Sequence, residues 1–188
     1  MKNFLYLILL LASVSLRAQS VFNNNTTNAL QKVIEDYPNN FSHIKGHKIA
    51  GNQQSTDYQS KIEVPGASTN IITHNNSVKT ETYCWKTELF ESVNFDESKE
   101  HFKELFNSIK NTIVKIDGLP PYILNGKYEF PVETKTNTTI AFQLLPANGE
   151  LQKLTVDLTL KSTTSGWKVS LSVYEKDGGS NAMATTDR

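Results

Sequence analysis

His43 and His47 stand four residues apart, the spacing that sets two imidazoles on one helix face as zinc ligands. The residues between them are Ile44, Lys45 and Gly46. Gly46 disfavours the helix, and Lys45 occupies the interval where a metalloprotease would need a glutamate base. The pair therefore reads as two loop histidines rather than a metal site. Cys84 is the sole cysteine, and with His74 or His101 it would make the thiol–imidazole pair of a small hydrolase. Tyr83 and Trp85 flank it, which places it in a packed strand, where a thiol is inert. His101 has Glu97 and Glu104 at i−4 and i+3, the spacing of ordinary helix-surface pairs. Ser165-Gly166 lacks the Gly-x-Ser-x-Gly frame of a nucleophile elbow. Glu88 with Glu91, and Asp96 with Glu97, are carboxylate pairs without a supporting motif. No phosphate loop, dinucleotide fingerprint, calcium loop or Cys-x-x-Cys occurs. No catalytic residue, cofactor site or metal site is assigned.

Hydrogen-bonding chemistry is a better match. Thr155, Asp157, Thr159 and Lys161 alternate with apolar residues in one segment, as do Lys168, Ser170, Ser172 and Tyr174 in the next. Paired as antiparallel strands, they form one polar sheet face. Seven of them, Thr155, Asp157, Thr159, Lys168, Ser170, Ser172 and Tyr174, are the candidate partner-binding set. A solvated face rich in β-favouring threonine is the plainer reading of the same pattern.

Several elements must position that face. Leu30, Val33, Ile34 and Tyr37 follow the i, i+3, i+4, i+7 pattern of an amphipathic helix, stopped by Pro38. Phe41 and Ile44 continue onto the core from a turn closed by Gly46. Asp57 to Val64 alternates as a half-buried strand ended by Pro65-Gly66, and Thr80 to Phe90 forms a second strand. The stretch between them, Ala67 to Val78, is ambiguous, with a turn signal at His74 to Ser77. Phe102, Leu105, Phe106, Ile109, Ile113 and Ile116 mark the stripe of a second helix. Asn94 with Glu97 suits a capping box, and Asp117 to Pro121 ends the helix. Strands then centre on Tyr122 to Val132, Thr138 to Leu144, Leu154 to Leu160 and Trp167 to Val173, joined by short turns. The order is α-β-β-α-β-β-β-β, with an α-β-β unit twice in outline. The fold class is α+β, a two-layer sandwich with a mainly antiparallel sheet of about six strands and two helices packed on one face.

The N-terminus carries an address. Lys2, the apolar run Phe4 to Leu11 and the small Ala18 follow the grammar of a secretory signal peptide over residues 1–18. The run is shorter than the about 20 residues a membrane-spanning helix needs. Residues 19–175 form a single α+β domain, and 176–188 a flexible tail containing Gly178-Gly179. Processing removes Lys2 and Arg17, leaving 17 basic against 19 acidic side chains. Such a balance gives no reason to expect nucleic acid. One cysteine permits no internal disulfide, so the core must hold the domain unaided. Five Asn-x-Ser/Thr sequons (Asn24, Asn25, Asn40, Asn75, Asn137) are chance matches in an Asn- and Thr-rich chain.

In its leader and overall layout the chain resembles the small exported α+β proteins common in bacteria. That resemblance implies export, to the periplasm or the medium, and transfers no activity. The expected function is non-enzymatic binding of an envelope or extracellular protein, peptide or glycan through the polar sheet face or a sheet edge. The alternative is the small hydrolase built on Cys84 and a histidine. A third expectation is a structural subunit assembled by edge-strand pairing.

Overall fold

A computed structural model of the protein describes residues 25–76 and 81–176. The proposed signal peptide and all of the proposed tail except Lys176 lie outside the described residues. Helix α1 runs through residues 25–36, and its Leu30, Val33 and Ile34 are buried as their spacing requires. A short 3-10 turn at Tyr37–Asn39 follows, with Pro38 at its start. Asn40 and Phe41 then take left-handed backbone conformations, φ 52° and 57°. Left-handed backbone is unfavourable for a bulky residue, and two things hold it here. Phe41 is fully buried, and the Asp36 carboxylate accepts from the His43 and Ile44 amides at 3.0 and 3.2 Å.

Four strands follow as a meander: β1 (Lys45–Gly51), β2 (Ser55–Ser60), β3 (Thr69–Asn76) and β4 (Glu81–Ser92). Helix α2 (Phe95–Ile109) intervenes. A second meander then runs through β5 (Ile113–Val114), β6 (Tyr122–Gly126), β7 (Asn137–Leu145), β8 (Leu154–Thr163) and β9 (Gly166–Glu175). All nine strands form one antiparallel sheet, ordered β1-β2-β3-β4-β9-β8-β7-β6-β5. The last strands of the two meanders are therefore neighbours at mid-sheet. The repeated unit is a helix plus a meander, longer than the α-β-β outline.

Helix α2 carries the chain from β4 at the centre to β5 at the far edge. Its 15 residues span about 22 Å, and five strand spacings amount to about 24 Å, so helix length matches the traverse. It touches β4, β9 and β8, and its Phe106 ring lies 5.6 Å from that of Phe142 in β7. Phe102, Leu105, Phe106 and Ile109 join Leu30, Val33 and Ile34 of α1 in one core with Trp85, Val156, Leu158, Val169 and Leu171. Both helices thus share one side of the sheet. The buried Trp85 indole keeps its donor satisfied, giving it to Ser60 Oγ at 3.0 Å.

The α+β class, the antiparallel sheet and the two helices agree with the sequence reading, whereas the strand count and order do not. The described residues hold nine strands rather than about six, in the order α-β-β-β-β-α-β-β-β-β-β. Strand β1 replaces the expected turn at Gly46. Its alternation was hidden because register shifts interrupt it on either side of Lys48. Strand β3 absorbs His74 to Asn76, read as a turn on composition. Helix α2 stops at Ile109, because Asn111 turns left-handed at φ 65°, so Ile113 belongs to β5 and not to the helical stripe. Asn94 caps α2, accepting from the Asp96 and Glu97 amides, but Glu97 receives Ser92 Oγ at 2.6 Å instead of completing a box. Residues 127–136 form an irregular connection, not the end of a strand, and Tyr128 leaves it to pack on Phe102 and Phe106.

The hairpin from β8 to β9 depends on Gly166, whose φ is 135° and whose absent Cβ would lie 2.5 Å from the Ser92 carbonyl oxygen. Gly166→Ala should cost at least about 2 kcal/mol of stability. Gly149→Ala, at φ 63° with open space around it, should cost about 1 kcal/mol. Urea unfolding of both variants checks the order, and equal losses would contradict the close approach.

Candidate functional site

Cross-strand register assembles the sheet side opposite the helices into rows. One row runs Asp57, Thr73, Cys84, Tyr174, Thr155, Gln143, Asn125. The next runs Gln59, Ile71, Lys86, Ser172, Asp157, Ala141, and a third Thr69, Glu88, Ser170, Thr159, Thr139. Glu91, Lys168, Lys161 and Asn137 make the fourth. All seven proposed partner-binding residues lie on this one face. Among the described residues no helix covers it.

The face is more tightly knit than a solvated surface. Tyr174 OH donates to Asp157 Oδ2 at 2.8 Å, while Asp157 Oδ1 is buried without a hydrogen-bond partner. Burial pushes the Asp157 carboxyl above its ordinary 3.8, against the Tyr174 hydrogen bond and the positive field of Lys176, which lower it. The Tyr174 phenol is raised, first by burial and then by Asp157. Thr155 is buried outright, a correction to its expected exposure, because a mid-sheet threonine is walled by its row neighbours. Thr159, Lys168, Ser170, Ser172 and Tyr174 remain partly accessible.

At the opposite end of the face charges are paired. Lys168 Nζ lies 3.1 Å from Glu88 and 3.6 Å from Glu91, and Lys86 lies 3.7 Å from Glu88. The Glu88 hydrogen bond raises the Lys168 ammonium, and Ser165 Oγ, donating at 2.5 Å, is the main cause lowering the Glu91 carboxyl. Thr139 and Thr159 hydroxyls meet at 3.0 Å, and Thr73 donates to Asp57 at 2.7 Å. Glu88, Lys86, Glu91, Thr73 and Thr139 were missing from the sequence-based set. The alternation of Cys84, Lys86 and Glu88 against Trp85 signalled their face, but only the β4·β9 pairing brings them beside Lys168 and Ser170.

The thiol–imidazole pair does not form. Cys84 is buried on the polar face, its Sγ donating to the Trp85 carbonyl at 3.6 Å, and burial pushes the thiol up to about 12. His74 sits on the helix side of the sheet, stacked 4.3 Å from Tyr83. His101 stacks 3.8 Å from Phe90 on α2, near Glu104. The sheet separates the thiol from both imidazoles. His43 and His47 are likewise apart in role: His43 Nδ1 meets Asp36 at 2.6 Å in the turn, and His47 is exposed on β1. Among the described residues no three His, Cys, Asp or Glu side chains converge on a metal-sized site, and no helix is long and apolar enough to cross a membrane.

No protein-family model, curated protein or solved structure matches this chain.

Two consequences are measurable. A carboxyl held above its ordinary value favours the protonated form in the folded state. Its contribution to stability is therefore greatest in acid and is lost as pH rises from 3.8 through the raised value. Asp157→Asn should gain on the parent protein across that window in urea unfolding, and a pH-independent difference would refute the burial. Cys84, in turn, should resist iodoacetamide at pH 8.5 until urea unfolds the chain.

Proposed function

We propose that the protein is an exported, non-enzymatic binding protein that engages an envelope or extracellular partner through the polar face of its sheet. The observation that carries this reading is the one-sided placement of the helices. Nine strands present their second side without cover from any described element, and that side is built of hydroxyls, carboxylates and lysines. Side chains already bonded to one another are held in place, so a partner meets an ordered pattern of donors and acceptors. Ser170 and Thr159 face each other at its middle, between the Lys168–Glu88 ion pair and the Asp157–Tyr174 pair.

A sheet-edge mode of binding is less well supported. Strand β5 has only two residues. Strand β1 is longer, but two register shifts and the basic Lys45, His47 and Lys48 interrupt it. Short, bulged and charged edges resist strand addition. The same features argue against assembly by edge pairing.

The test joins location to surface. Expressed with its leader, the protein should appear in the exported fraction and crosslink to an envelope component. Thr159→Glu with Ser170→Arg, which sets opposite charges across the strands, should weaken that capture about tenfold or more in a variant shown by circular dichroism to be folded. Cytoplasmic retention, or equal capture by the double variant, would overturn the proposal.

A further inference from the structure

On the helix side of the sheet, the β1–β4 corner carries an arrangement that the polar face does not explain. Lys45 pairs across the strands with Ser60, and Lys48 pairs with Tyr58. Between these pairs Gly46 and His47 of β1 thus oppose Gln59 alone on β2. In a regular strand, residues three apart point to opposite sides. The shift between them instead brings Lys45 and Lys48 onto the same side. Gly46 permits it, since a Cβ there would lie 2.8 Å from the Gln59 carbonyl oxygen. Bulges of this kind re-aim side chains, and they recur beside functional sites.

The re-aimed Lys45 ammonium lies 4.9 Å from the Tyr58 ring centroid and 5.6 Å from that of Tyr83. Tyr83 is in turn stacked on His74, with centroids 4.3 Å apart and planes 3° from parallel. Register makes this a diagonal over three strands, Tyr58 on β2, His74 on β3 and Tyr83 on β4. Two aromatic faces position the ammonium by cation–π attraction without cancelling its charge. The contrast with Lys168 is direct, because that lysine is neutralised by two glutamates. Glu81, a carboxylate at this corner, faces His74 at 3.7 Å. The buried His74 Nε2 has no hydrogen-bond partner. Both tyrosines are only partly buried.

We infer that this corner binds an anionic saccharide, with Lys45 and Lys48 receiving a sugar carboxylate and the Tyr58 and Tyr83 phenols bonding to neighbouring hydroxyls. An ammonium fixed between aromatic rings pays little entropy to meet an anion. Phenols at its sides suit a polyhydroxylated carrier, because each both donates and accepts. This site is independent of the polar-face reading and lies on the other side of the sheet.

Calorimetry with a galacturonate oligomer, a neutral galactose oligomer and inorganic phosphate tests the inference on the folded protein. The galacturonate oligomer should bind, weaken with added salt, and exceed the neutral oligomer by about tenfold or more. Lys45→Met, which keeps the apolar stem, should lose that preference, and Lys48→Met should reduce it. Should Lys45→Met fail to fold, Lys48→Met with Tyr83→Phe carries the test, since the latter keeps the ring and removes only the hydroxyl. Absence of galacturonate binding, equal binding of the neutral oligomer, or unchanged affinity in the variants would overturn the proposal. Phosphate binding as tightly as the oligomer would overturn its saccharide part.

Discussion

The antiparallel ladder between β4 and β9 is the constraint on which the rest depends. Each meander closes on itself through neighbouring strands, and among the described strands only this pairing joins one half to the other. Its core side places Trp85 against Val173 and Thr87 against Leu171, under both helices. Its other side places Glu91 against Lys168 and Cys84 against Tyr174. These contacts are some 80 residues apart in the chain, so closing them costs loop entropy that only extensive burial can offset. Helix α2 makes that closure geometrically possible, because it lets the chain reach the far edge and return strand by strand to the centre.

That dependence also explains which parts of the fold were legible. The strands of the second meander were readable, since Leu154 to Leu160 and Trp167 to Val173 alternate strictly and bury one face completely. The stripe and cap of α2 were readable for the same local reasons. Three features escaped. Strand β1 lost its period to its register shifts, β5 is too short to show one, and β3 was masked by turn-favouring Asn75 and Asn76. The candidate face was half legible: β8 and β9 are hairpin neighbours, so their seven polar residues could be paired on paper. The β4 contribution was not, because it requires a contact that no short-range pattern encodes.

The two sides of the central ladder treat polarity differently, and the reason is geometric. On the helix side, Trp85 and Thr87 are buried, and their polar atoms are met by Ser60, Asn70 and the Thr69 carbonyl. On the other side, no described helix excludes water, yet Cys84 and Thr155 are buried in mid-row. A wide, densely substituted sheet can shield its own middle. The result is a thiol pushed up to about 12, which is chemically quiet at neutral pH. In a chain with one cysteine, that burial keeps the unpaired thiol out of disulfide exchange without help from a second cysteine.

Strand β1 brings two requirements into one device. An exposed edge needs to discourage pairing with another chain, which favours lysines and broken register. A register shift also decides which way those lysines point. Here it turns Lys45 over Tyr58 and Tyr83 and sets Lys48 on the same side, so these two charges do not alternate between sheet faces. Gly46 is the hinge of both effects, since any larger residue would strike the Gln59 carbonyl oxygen and press the strand towards regular pairing. Restoring that regular register would lengthen the pairable edge and separate Lys45 from Lys48 in the same step. Edge protection and cation placement in β1 therefore stand or fall together.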